Sequence, residues 1–168
     1  MASLADLPGA AQSILEAYAS QLAAQGVVLP ERQFVAAGSD LVWDGEQLSV
    51  NLVSIAQGQP GAGWGGGYFP PSAVQYHASW VINLVRVTSA LNVDAPFAEG
   101  MVPSAEQLNA AGANAVSDAQ AMIMATSAIA VGYMVTGPGE TFVMSALQTV
   151  GPEGGMAATR LLLEIALA

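Results

Sequence analysis

The sequence predicts a single α+β domain: a mainly antiparallel sheet of four to five strands flanked by two helices, in the order α-β-β-β-α-β-β. Three observations predict it. Several segments alternate apolar and polar residues at the period of a strand. Two others have helical character, one with an apolar stripe at i, i+4 spacing and one opening on a capping motif. The strands are joined mostly by turns and loops, which favours an antiparallel sheet backed by helices. At 168 residues and 53% hydrophobic, the chain suits one domain, 1–168, with a sizeable core.

The elements follow in order. Residues 8–25 read as the first helix, with Pro8 in its first turn, Ile14, Leu15, Tyr18 and Leu22 as the apolar stripe, and Gly26 as the stop. A short strand is expected near Gln33–Val35. Residues 47–56 form the next strand, with Leu48, Val50 and Leu52 inward and Ser49 and Asn51 outward. Residues 77–89 form a longer one. There Trp80, Ile82 and Leu84 share one face and Val81, Asn83, Val85 and Val87 the other, so both faces are at least partly covered. Between these strands lies a Gly/Pro/aromatic insert, 57–76, too long for a hairpin turn. The second helix opens at Ser104, where Ser-Ala-Glu-Gln matches a capping box, and runs to about Val131. A strand over 141–150, a turn at Gly151–Gly155 and a last strand from Met156 complete the chain. In that strand Leu161, Leu163, Ile165 and Leu167 face one way, Arg160 and Glu164 the other.

Composition excludes several functions. There is no cysteine, hence no disulfide, thiolate nucleophile, zinc–thiolate site or Fe–S cluster. One histidine, His77, cannot make an imidazole cluster. The net charge is −10, and the only basic residues are Arg32, Arg86 and Arg160. Such a chain has no patch for nucleic-acid phosphates and is repelled by anionic membrane surfaces. The N-terminus lacks the pattern of a signal peptide. The uncharged stretch 119–140 is rich in Ala, Gly, Ser and Thr and reads as a buried core helix rather than a membrane span.

Chemical motifs are weak. Gly61, Gly63 and Gly66 form a literal G-x-G-x-x-G, but Tyr68-Phe69-Pro70-Pro71 follows where a phosphate-binding helix should begin, and Arg86 stands where the acid should be. His77 has Ser72 and Ser79 nearby without the context of a nucleophile. Asp44 and Glu46, two apart, would share a face if the strand extended back through them, but read better as a solvated pair. No catalytic residue, cofactor or metal site is assigned. Trp64, Tyr68 and Phe69 are large apolar groups on a glycine-rich segment that cannot bury them alone. They either fold back over their own sheet or insert into a neighbouring subunit as interface anchors; the sequence leaves both open.

Four short motifs then stand in order: Trp43-Asp44-Gly45-Glu46-Gln47-Leu48 before a strand, Val85-Arg86-Val87 in the next long strand, Pro103-Ser104 opening the second helix, and Gly151-Pro152-Glu153-Gly154-Gly155 before the last strand. Over about residues 30–168 their order and spacing resemble a family of tail terminator proteins from long-tailed phages of actinobacteria. One departure is Gly45, where the family often has Cys. The resemblance implies a homo-oligomeric ring, commonly a hexamer, that caps the finished tail tube and offers a surface to the head connector in the virion. It implies no catalysis. Within that frame Trp43 is a buried anchor, Asp44 and Gln47 hydrogen-bond turn backbone, and Gly154 and Gly155 supply turn geometry. DNA would pass through without specific binding, and loop acids such as Asp40, Asp94 and Glu99 would supply part of the lining of the passage. The rival readings are another ring or stopper protein of the same junction, a small-molecule-binding α+β domain with the glycine-rich loop as lid, and, weakest, a carboxylate hydrolase.

Overall fold

The computed structural model describes residues 6–41, 44–58, 76–88, 104–136, 142–153 and 156–167. They form two helices, α1 (Leu7–Ala24) and α2 (Ala105–Thr136), and strands β1 (Gln33–Ala37), β2 (Gln47–Gln57), β3 (Tyr76–Val87), β4 (Phe142–Glu153) and β5 (Met156–Leu167), in the predicted chain order. The strands make one sheet in the order β1-β2-β3-β5-β4. All pairs are antiparallel except β1 with β2, which are parallel.

Local chemistry sets the helix ends. Asp6 caps α1 by accepting the Gly9 N–H at 3.0 Å. At the other end Gly26 takes φ +81°, a left-handed geometry that glycine adopts without strain, and the Val27 N–H returns to the Leu22 carbonyl at 3.0 Å. The capping box of α2 is present in both directions: Gln107 N–H donates to Ser104 Oγ at 3.1 Å, and Ser104 N–H to Gln107 Oε1 at 2.9 Å. The helix continues to Thr136, beyond the Val131 expected.

Both helices lie on one face of the sheet, so the sheet is backed rather than sandwiched. α1 packs over β1 and β2, α2 over β4 and β5, and the helices touch each other. The core between the layers holds Leu48 and Val50 of β2, Ala78, Trp80, Ile82 and Leu84 of β3, and Leu161, Leu163, Ile165 and Leu167 of β5. From the helices come Ile14, Leu15, Tyr18, Leu22, Met122, Ala125 and Ile129. Tyr18 links the two helices through a hydrogen bond to Thr126 Oγ1 at 2.8 Å. Thr126 spends its own hydrogen on the Met122 carbonyl at 2.7 Å, so Tyr18 is the donor.

Burial pushes the Tyr18 hydroxyl well above the ordinary tyrosine value, with the Thr126 bond pulling the other way. The folded form therefore holds this proton more tightly than the unfolded chain. Its contribution is complete below the unfolded value, about pH 10, and is lost as pH rises from there towards the folded value. Stability is expected to fall above about pH 10 by up to about 1.4 kcal/mol per pH unit from this group. Urea titrations at stepped alkaline pH should show that Tyr18→Phe lacks this component.

The second face differs from expectation. Ser49 and Asn51 point away from the helices, yet both are buried. After the parallel β1–β2 pair the chain must return to the end where β1 began, and residues 38–41 begin that return. It crosses this face: the Ser39 carbonyl accepts from the Arg160 guanidinium, and the Asp40 carbonyl from Asn51 Nδ2 at 3.4 Å. Beneath it Ser49, Asn83, Arg160 and Gln148 stand in register across four strands. Asn83 Nδ2 donates to Ser49 Oγ, and Arg160 Nε to Asn83 Oδ1, both at 3.1 Å.

The last hairpin also corrects the sequence reading. Gly151–Glu153 belong to β4, after a register irregularity between Val150 and Glu153, so the turn is shorter than Gly151–Gly155. A second irregularity falls between Met144 and Ala146.

Candidate functional site

A cleft of about 970 Å³ opens at one end of the sheet. Its walls are the first half of α2, the turn after α1, the end of β3 and the start of β5. The reason for the cleft lies in the sequence of α2. Residues 104–110 are all exposed, and only Ala111, Ala115, Asp118 and Ala119 of the next two turns are partly covered. Three of these are alanines, too short to fill the gap to Leu84 and Ala158 below. Val28 and Val87, 80% and 59% exposed, stand at the cleft.

Residues of two of the four motifs, and Gln107 of the capping box, meet here. Glu46, Arg86, Val87, Gln107 and Ala157 all line the cleft. Val87 pairs in register with Met156 at the start of β5, and Gln47 with Val85. Segments separated by tens of residues thus meet at a single end of the molecule.

Glu46, Arg86 and Asp118, three of the charged groups that line the cleft, have structural partners. Arg86 Nε donates to Asp118 Oδ2 at 3.2 Å, with both side chains mostly buried. Asp44 is ion-paired with Arg32 on the surface, and Arg32 also lies over the Phe34 ring, 5.1 Å from its centre. Glu46 Oε1 accepts the Val87 N–H at 3.2 Å. The two carboxylates therefore serve different partners, in a bend before β2 rather than on a shared strand face. Gly45 between them has φ +143°, so a residue with Cβ would be strained at that point.

The other candidates fall as follows. Gln47 is buried at the start of β2, and Asp40 is exposed on the connection across the second face. His77 Nδ1 donates to the Gly58 carbonyl at 3.2 Å, which ties the ring to the end of β2. Trp43, Trp64, Tyr68, Phe69, Asp94, Glu99, Gly154 and Gly155, the glycines of the G-x-G-x-x-G and Ser72 lie outside the described residues. Among the described residues no group of three His, Asp or Glu side chains could hold a metal ion, and no helix is long and apolar enough to cross a membrane. Sequence reasoning missed Asp118 as the partner of Arg86 and Asn83 as the partner of Arg160. In each case a pairing between elements decides, and no local pattern signals it. No protein-family model matches the chain, and no curated protein matches it.

Proposed function

We propose that the chain is a structural subunit of a closed homo-oligomeric ring, a tail terminator at the head–tail junction of a long-tailed phage. The observation that supports this reading is the meeting of Glu46, Arg86 and Val87, from two of the resemblance motifs, at the end of the sheet that holds the cleft, beside the helix that Ser104 caps. Their residues brace joints between elements: Glu46 holds the end of β3, Arg86 holds α2 through Asp118, and Ser104 caps α2. Such a braced end suits a docking surface for the tail tube or the head connector better than it suits catalysis. A hexamer is the ring size the resemblance favours, and its interfaces must be heterologous to close.

The acidity fits the same reading. Each copy adds −10, and DNA crossing the junction is densely negative. A passage lined in part by Asp40, Asp94 and Glu99 would repel phosphates and avoid the salt-dependent binding of a basic wall. The decisive experiment is solution mass by light scattering, with electron microscopy of the protein alone and on tail tubes. Closed rings support the reading; a strict monomer in both settings overturns it.

A second reading has one observation in its favour. The cleft has the volume of a small-molecule site. A monomer whose thermal midpoint rises with a metabolite library, and falls back in a Val87→Trp variant that fills the cleft, would favour it over the ring.

A further inference from the structure

We infer that the cleft between the first half of α2 and the sheet takes a basic, apolar segment of a partner protein, with its apolar side chains on the cleft floor and its lysine or arginine side chains on Glu46 and Glu106. The inference rests on the ring reading and deepens it by naming the chemistry of the partner that docks at this end.

The floor suits an apolar guest. Leu84 is buried and Ala157 half-buried at the base of the cleft, and Ala111 and Ala115 of α2 line it as well. The alanines are too short to close the gap. Val28, Val87 and Met124 line the same cleft and are 80%, 59% and 52% exposed. Apolar side chains around a hollow gain most from a second apolar surface that displaces the water. The volume of about 970 Å³ lies at the upper end for ligand sites, so it admits several large side chains together.

Charge selects among apolar guests. Four charged side chains line the cleft: Glu46, Arg86, Glu106 and Asp118. Arg86 and Asp118 neutralise each other and are mostly buried. Two carboxylates remain, both on exposed residues. The Val87 N–H holds Glu46 at the rim, and Glu106 stands in the first turn of α2. An acidic segment is repelled here, and a basic one is drawn in.

The same charges argue against a second copy. The basic side chains of the chain are Arg32, Arg86 and Arg160. Arg86 lies inside the cleft with Asp118, Arg160 is bonded to Asn83 and the Ser39 carbonyl, and Arg32 is paired with Asp44. A copy therefore offers no spare cation and brings a net charge of −10. Nucleic acid and anionic membranes are repelled in the same way. The fitting occupant is a protein segment with its own lysines or arginines beside large apolar residues, laid against α2 as a helix lies in a groove.

The test uses two synthetic peptides of about 12 residues, roughly three helical turns. One is built of leucine and lysine at helical spacing; the other has glutamate in place of lysine. Each carries a fluorophore, and anisotropy gives its affinity for the full chain at physiological salt. The lysine peptide should bind and saturate at one per subunit, and the glutamate peptide should not bind. Glu46→Gln with Glu106→Gln should weaken the lysine peptide about tenfold, the scale of two partly shielded ion pairs. Glutamine keeps an Oε1 acceptor for the Val87 N–H. The control Glu31→Gln with Asp40→Asn removes the same charge from exposed residues outside the cleft and should bind as wild type does. Ala111→Trp, which fills the cleft, should also abolish binding, with circular dichroism to verify each fold. Equal loss in the two charge variants would reduce the effect to general acidity and overturn the inference. Binding that Ala111→Trp leaves unchanged would overturn it too. A wild type that binds neither peptide also overturns it, whether the chain's own residues 89–103 or a second copy takes the cleft; in the latter case Ala111→Trp blocks assembly. If Ala111→Trp does not fold, the two charge variants still decide. Solution mass judges the ring reading separately: rings without peptide binding overturn this inference alone, and a strict monomer that binds the lysine peptide overturns the ring alone.

Discussion

Trp80→Ala is expected to lower stability by about 3–5 kcal/mol, a large share of the 5–15 kcal/mol that holds a typical domain. Trp80 has no exposed surface and sits on the central strand β3, in register with Leu52 of β2 and Leu163 of β5. Its indole fills the middle of the layer between sheet and helices, and alanine leaves a void that neighbours on three strands cannot close. The indole N–H is buried without a hydrogen-bond partner, a burden of about 1–3 kcal/mol. Trp80→Phe removes that orphan donor while keeping most of the ring volume. It should therefore cost less than half as much as Trp80→Ala. Urea unfolding followed by circular dichroism measures both; an alanine variant within 1 kcal/mol of wild type would mean that the core is not centred on Trp80.

The strands that carry this core were legible because their alternation reports a single buried face. Leu48 and Val50, Trp80, Ile82 and Leu84, and Leu161, Leu163 and Ile165 all point where the period of two places them. Alternation does not report what covers the other face. Ser49 and Asn51 read as solvent-facing, but the connection after β1 lies over them, and that path follows from a parallel pairing no local pattern encodes. The candidate site divides in the same way. The residue types around Glu46, Arg86 and Ser104 were visible, and so was their order. Their meeting at one end of the sheet needed the register of β2 with β3 and of β3 with β5. The carboxylate pair Asp44 and Glu46 separates because β2 begins at Gln47, three residues too late to place both on a strand face.

Arg160→Met is expected to cost about 2–3 kcal/mol, the range for a hydrogen bond to a charged group whose loss leaves a buried polar atom unpaired. Arg160 is the centre of the polar row on the second face. Its Nε holds the fully buried Asn83, and its terminal nitrogen holds the Ser39 carbonyl on the connection above. Methionine keeps much of the aliphatic length but no donor, so Asn83 Oδ1 loses this bond and the connection loses an anchor. Lysine should restore little, because a single ammonium cannot replace the fork that reaches both acceptors. Urea unfolding gives the global cost. Amide hydrogen exchange should add a local signature, with faster exchange around Ser39 and Asp40 than in β5. Solution mass separates this effect from assembly. Arg160 lies on β5, one strand in from the edge and on the face away from α2, so a folded Arg160→Met should associate as wild type does. Loss of assembly without loss of stability would instead place the second face, and with it the connection bearing Asp40, in the contact between copies.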